Sequence, residues 1–159
     1  MKELMLTQGM IAIVDDEDFE RFGKFKWYAL KDKKTYYAVR NVGLYPNRIK
    51  QRLHREILNT PKGIDIDHIN GNGLDDKREN LRLCTRQENC RNQRHARPGK
   101  NSKFKGVHWS RQARKWHAQI KMDGHTTYLG YFSDDTDAAQ AYDAAARKLF
   151  GEFAAPNFN

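Results

Sequence analysis

One acid, one imidazole and two amides stand at spacings that can do chemistry. In IDIDHINGNGLDDKRENLRLCTRQENCRN (64–92), Asp67 precedes His68, Asn80 follows twelve residues after His68, and Asn89 nine further on. A carboxylate and an amide oxygen are hard donors, the kind Mg2+ takes while keeping waters and phosphate oxygens in its shell. A neutral imidazole can take a proton from water near neutral pH. Asn80 can fix the ring's tautomer or the shape of the loop. Other readings compete. A calcium loop needs alternating Asp or Asn followed by Gly, and the frames starting at Asp65 and Asp67 both fail. Zinc needs clustered Cys and His, and Cys84 and Cys90 have the wrong spacing. On residue chemistry alone, a polar hairpin loop with a structural His68 stands level with a metal site.

Particular elements must position these groups. IDIDHI reads as a strand, with Ile64 and Ile66 on one face and Asp65 and Asp67 on the other. Two Asn-Gly pairs, Asn70-Gly71 and Asn72-Gly73, mark a loop. Leu81 and Leu83 alternate in a second strand. Thr85-Arg86-Gln87-Glu88 is a capping box that starts a helix at Arg86. The order is strand, long loop, strand, helix. Upstream, LTQGMIAIV and TYYAVRNV read as strands, while DDEDFERFGKFKW fits a helix or a turn. Ile49, Leu53, Ile57 and Leu58 predict a helix over 48–58. Downstream, FKGVHWS, KWHAQIKM and TTYLGYF read as three strands, with a turn at Asp123-Gly124. Asp134 is an N-cap for a helix whose face is Ala138, Ala141, Tyr142, Ala145 and Leu149.

Composition narrows the partners. The 159 residues carry a net charge of +9, which speaks of partners rather than of fold. From Asn89 to Met122 there are ten Lys or Arg and no acid. That belt, with His108, Trp109, Trp116 and His117 in it, favours phosphate contact. The longest apolar run, MIAIV, is too short to cross a bilayer. No signal-peptide pattern begins the chain, and two cysteines make no disulfide framework. A soluble protein in a reducing, intracellular setting is expected.

LHREIL followed by the 64–92 stretch resembles the HNH endonucleases, in the subtype common among phage and intron-encoded homing enzymes. The resemblance covers about residues 53–95. It implies a ββα-metal finger, in agreement with the element order. It implies that Asp67 and Asn89 ligate Mg2+ or Mn2+, that His68 is the general base, and that Asn80 orients His68 and holds the loop. His54 also matches a family position, as a phosphate contact or a packed helix residue. Arg91 and Arg94 are accessory candidates for DNA contact.

Residues 104–158 resemble the APETALA2/ethylene-response-factor DNA-binding domain through F-K-G-V, K-W-x-A-x-I, Y-L-G-Y-F, A-A-x-A-Y-D-x-A-A and the closing N-F. The resemblance implies a three-stranded antiparallel sheet, backed by one helix, that enters the major groove. Carried onto this chain, the groove-facing positions are Lys105, His108, Arg111, Arg114, Lys115, Gln119, Lys121, Thr126 and Tyr128. Trp116, Ile120, Leu129, Phe132 and Tyr142 read as core.

The sequence thus predicts an α+β protein. Residues 1–95 form a β-rich region plus the nuclease finger, 96–103 a linker, and 104–159 the DNA reader. The expected activity is metal-dependent, site-preferring cleavage of double-stranded DNA by a monomer of homing type, through contacts to about six to ten phosphates. A DNA-binding regulator without nuclease activity is the rival. It would share the charge and the second half, and the intact set Asp67, His68, Asn80 and Asn89 favours the enzyme.

Overall fold

The computed structural model describes residues 1–32, 35–92 and 102–158. They fall into two compact units, Met1–Asn89 and Cys90–Asn159. Both are α+β, built from small antiparallel sheets and few helices. Arg94 and residues 96–101 of the expected linker lie outside the described residues.

In the first unit, β1 (Lys2–Met5) pairs with β2 (Ile11–Val14). DDEDFERF then forms a helix, α1 (Asp16–Phe22), with Asp16, Glu17 and Asp18 in its first turn and Arg21 in its last. That charge order complements the helix dipole. A sheet of β3 (Tyr28–Asp32), β4 (Thr35–Val42) and β5 (Ile49–Arg52) follows, with β4 in the middle.

The helix expected over 48–58 is corrected here. Its first half is strand β5, and only α2 (Leu53–Ile57) is helical. Ile49 to Arg52 pair in register with Val42 to Val39 of β4. A short isolated helix is marginal in water, so backbone pairing with a neighbouring strand wins those four residues.

Next come β6 (Asp65–His68) and β7 (Leu81–Cys84), antiparallel to each other, and then α3 (Arg86–Arg91). The Thr85 capping box forms: the Glu88 amide donates to Thr85 Oγ1 at 3.3 Å, and the Thr85 amide to Glu88 Oε2 at 2.8 Å. Leu4, Ala12, Val14, Trp27, Ala38, Leu53, Ile66, Leu74 and Leu81 belong to one core cluster. The N-terminal strands therefore share a core with the β6–β7 hairpin, so residues 1–50 are the floor on which the hairpin is built.

That floor also shapes the long loop, 69–80. Ile13 of β2 donates its amide to Leu74 O and accepts from the Asp76 amide, both at 2.8 Å. Arg78 grips buried Asp18 of α1 with two nitrogens, at 2.8 and 2.9 Å. Gly73 crosses β4 so closely that a Cβ would lie 2.6 Å from Tyr36 O and 2.7 Å from the Tyr37 ring. Only glycine allows that approach.

In the second unit, β8 (Val107–Ser110), β9 (Lys115–Met122) and β10 (His125–Phe132) form a sheet with β9 central. Asp123 and Gly124 both have positive φ, 50° and 85°, as a two-residue type I′ hairpin requires. The helix α4 (Asp135–Phe150) packs on the sheet, and Asp134 caps it by accepting from the Thr136 amide at 2.6 Å. Its expected face is corrected: Ala138, Ala139, Tyr142, Asp143, Ala146 and Phe150 are buried, while Leu149 is exposed. Phe150 serves instead because the helix runs to the last residue before Gly151. Buried Asp143 explains the closing N-F, since it accepts from the amides of Asn157 and Phe158 at 2.7 and 2.9 Å. Gly106 lies against Tyr142, where a Cβ would collide with the ring. Trp116 and Phe132 pack against the buried Val107, Ala118, Ala138 and Ala139, and Leu129 against both these and the cluster of Ile120, Tyr142, Ala146 and Phe150.

Candidate active site and nucleic-acid interface

Strand alternation splits the Asp67-His68 pair. Ile66 and His68 face the core, and Asp65 and Asp67 face the other way. The strand ends at His68, and Ile69 begins the loop. Around His68 the structure assembles a closed polar group. His68 Nε2 is 2.9 Å from Asp76 Oδ1, and His54 Nδ1 is 3.9 Å from the same oxygen. The two imidazoles stand edge to face at 5.1 Å, and Tyr37 covers both at 5.3 and 5.7 Å. His54, His68 and Asp76 are 4 %, 5 % and 0 % exposed. Burial, with the charges of His68, Arg52 and Arg55, pushes His54 down to about 2, so its ring is neutral. Burial raises Asp76, against the pull of its bond to His68.

Asn80 stands in the loop's own hydrogen-bond network. Its Oδ1 accepts from the Asn70 amide at 3.0 Å, and its Nδ2 donates to Asn70 Oδ1 and to Asp75 O at 3.1 and 2.7 Å. It ties the start of the loop to its end. Asp75 completes this network by accepting from Asn70 Nδ2 at 2.7 Å.

On the other face, Asp67 Oδ2 receives two contacts from Arg82, at 2.9 and 2.6 Å, directly across the hairpin. Asn89 Nδ2 donates to Asp65 Oδ2 at 3.2 Å, as does Arg86. Burial pushes Asp65 up, yet those bonds hold it below the usual carboxylate range. The structure therefore pairs Asn89 with Asp65, two residues before Asp67 on the same face. The donors of this face, two carboxylates and one amide, are all oxygen and suit a hard divalent cation. Arg82 must yield part of Asp67 for a cation to use it. Asp76, Asp65 and Arg82 were missed in the sequence as members of these clusters, and His54, an accessory candidate there, stands beside His68 and Asp76. Asp76 had a signal, an acidic pair in the loop eight residues after the histidine.

The DNA-contact candidates sit mostly on one surface of the second unit. Directly opposed residues in an antiparallel pair share a face, and the register pairs His108 with His117, Ser110 with Lys115, Thr126 with Lys121 and Tyr128 with Gln119. All lie opposite the helix-facing row Trp116, Ala118 and Ile120. Gln119 Nε2 meets His108 Nε2 at 3.1 Å. A bulge between Tyr128 and Gly130 shifts the alternation, so Tyr131 joins Tyr128 on the open face. They are 60 % and 73 % exposed, with His117 between them at 5.9 and 6.2 Å. His117 and Tyr131 are additions to the sequence-based set. Arg111 and Arg114 lie exposed in the β8–β9 turn. Lys105 is turned inward: its Nζ donates to Arg91 O at 2.7 Å near the Tyr142 ring, and burial lowers it to about 8. Arg91 pairs with Asp123 at 3.2 Å and lies over Phe150.

With this geometry in view, the comparisons with known proteins are direct. A family model for HNH endonucleases matches residues 59–91. An uncharacterised HNH endonuclease of Acanthamoeba polyphaga mimivirus is 33% identical over 156 residues, 94% of this chain and 76% of that protein. Protein 3.8 of Escherichia phage T7 is 39% identical over 64 residues, 40% of this chain and 52% of its own length. An APETALA2-like protein of Oryza sativa subsp. indica is 35% identical over 81 residues, 51% of this chain and 19% of that protein. The chain belongs to the HNH endonuclease family, and it is a DNA endonuclease, a phosphodiester hydrolase. Enzymes of this family generally depend on a divalent metal. No helix among the described residues is long and apolar enough to cross a membrane.

Proposed function

We propose a metal-dependent, site-preferring endonuclease of homing type that nicks double-stranded DNA as a monomer, in the cytoplasm of a bacterial or phage-infected cell. The β6–β7–α3 segment is its ββα-metal finger, and the observation that carries the reading is His68 held against Asp76 at 2.9 Å. With the Nε2 proton donated to Asp76, Nδ1 of His68 is the atom that takes a proton from the attacking water. Asp76 stabilises the imidazolium that results and hands nothing on. Asp67 and Asn89, with Asp65 beside them, hold Mg2+ or Mn2+. A cation held there would supply positive charge to the phosphate and to the leaving 3′ oxygen. Asn80 keeps the loop closed on itself. The products carry a 5′-phosphate and a 3′-hydroxyl.

His68 is only 5 % exposed, so engaging a substrate water requires the 69–80 loop to shift when DNA binds. The open face of the β8–β9–β10 sheet is the DNA-holding surface, with Lys115, Gln119, Lys121, Thr126, Tyr128, His108, His117 and Tyr131 as contacts and Arg111 and Arg114 at its rim. Lys105 acts from within by holding the backbone at Arg91. The test is nicking of supercoiled plasmid with Mg2+, Mn2+ or a chelator. Cleavage that persists in chelator removes the metal from the mechanism. Binding that barely changes between low and moderate salt removes the basic surface from it.

A further inference from the structure

The His54–His68–Asp76 group has more ligand capacity than a general base needs. Its three ligand atoms, two imidazole nitrogens and one carboxylate oxygen, lie within 4.8 Å of one another. Two of its polar atoms, His54 Nδ1 and Asp76 Oδ2, are buried with no hydrogen-bond partner among the described residues. An unsatisfied buried polar atom is costly, and here two of them belong to one cluster. Neutral imidazole and carboxylate are the donor set of open zinc sites. Imidazole also separates this group by chemistry from the all-oxygen face of Asp65, Asp67 and Asn89, since it suits zinc, copper, iron and nickel rather than magnesium.

We propose that His54, His68 and Asp76 form a second cation site, for a divalent transition ion of the zinc class, whose occupation takes His68 out of hydrolysis. The site requires His68 to present Nε2 as a ligand, carrying its ring proton on Nδ1, in place of the bond to Asp76. Tetrahedral zinc with bonds of about 2.0–2.2 Å needs the three atoms drawn closer than their present spread. The Oδ2 atom, or a water or hydroxide, supplies the fourth position that the three leave open. The binding site stands on the geometry alone, while its inhibitory effect rests on the reading of His68 as the base.

The experiment titrates the full chain with Zn2+ by calorimetry and with Co2+ by visible absorption, then measures nicking in excess Mg2+. One Zn2+ per chain is expected. The Co2+ spectrum should be that of a four-coordinate nitrogen and oxygen site, without the thiolate charge-transfer band that Cys84 or Cys90 would add. His54→Gln and Asp76→Asn should each weaken zinc binding by at least about tenfold, and Asp67→Asn should leave it unchanged. Zinc should abolish nicking of the unmutated chain, and a chelator followed by Mg2+ should restore it. No zinc binding, a thiolate band, or binding that Asp67→Asn removes and His54→Gln keeps overturns the site. Nicking that survives zinc in a chain shown to bind it overturns the inhibition and leaves the site standing. The Co2+ spectrum of the unmutated chain keeps the test independent of whether a variant folds. If His68→Ala cleaves like the unmutated chain, the base assignment fails while the zinc titration still decides the site.

Discussion

The two units treat polar groups in opposite ways. The first buries them: Asp18, His54, Asp67, His68, Asp75, Asp76 and Asn80 are all under one-tenth exposed. The second buries Asn92, Ser102 and Asp143 but displays Lys115, Lys121, Thr126, Tyr128 and Tyr131 on one sheet face. Buried groups interact in a low dielectric, where each bond is strong and each unmade bond costly. Exposed groups keep their water and act together through charge. The first arrangement suits chemistry on one phosphate and the second suits holding many.

Variants in the first unit should break that contrast most sharply. His68→Ala should lower nicking by about 10²–10⁴-fold and leave DNA binding by gel shift unchanged. Cleavage at the original rate would remove His68 from the mechanism. Leu53, fully buried in the core that joins the N-terminal strands to the hairpin, should cost about 2–5 kcal/mol when changed to Ala. Thermal unfolding should then show the loss in the transition of residues 1–89, with the transition of residues 90–159 unmoved.

A pH series sharpens the comparison at the next level. His54 is pushed down to about 2 in the fold, against about 6.5 unfolded. Between those values the unfolded chain binds the proton and the folded chain does not, so stability falls as pH drops below about 6.5. One such group contributes a slope of at most about 1.4 kcal/mol per pH unit. Asp76, raised in the fold, works with the opposite sign, binding its proton first in the folded state. Chemical denaturation of the unmutated chain and of His54→Gln from pH 7 to 5 separates them. The variant should show the shallower loss, and equal slopes would contradict the buried neutral ring. The smallest effect belongs to the open face, where Lys121→Ala should lower the salt dependence of DNA binding by about 1 in log–log slope with little change in stability.

How much of this could be read in the sequence depended on range. The capping box at Thr85, the Asp123-Gly124 hairpin and the Asp134 cap were legible because each is settled within a few residues. The order strand, loop, strand, helix was legible for the same reason. The split of 48–58 into strand and helix was not, because it depends on β4. The partners of Asp67 and Asn89 were not, because cross-strand register brings Arg82 to Asp67 and helix α3 carries Asn89 to Asp65. Tyr131 escaped notice because a bulge broke the period of two that alternation assumes.

By itself, then, the sequence determined which chemistry was available: one carboxylate, one imidazole and two amides at fixed spacings, and a basic belt without acids. The tertiary structure alone decided who meets whom. Two residues adjacent on a strand point to opposite faces, so Asp67 turned to Arg82 and His68 to Asp76. His54 from α2 and Asp76 from a loop pinned to β2 reached His68 only because a core spanning residues 4 to 81 drew those segments together.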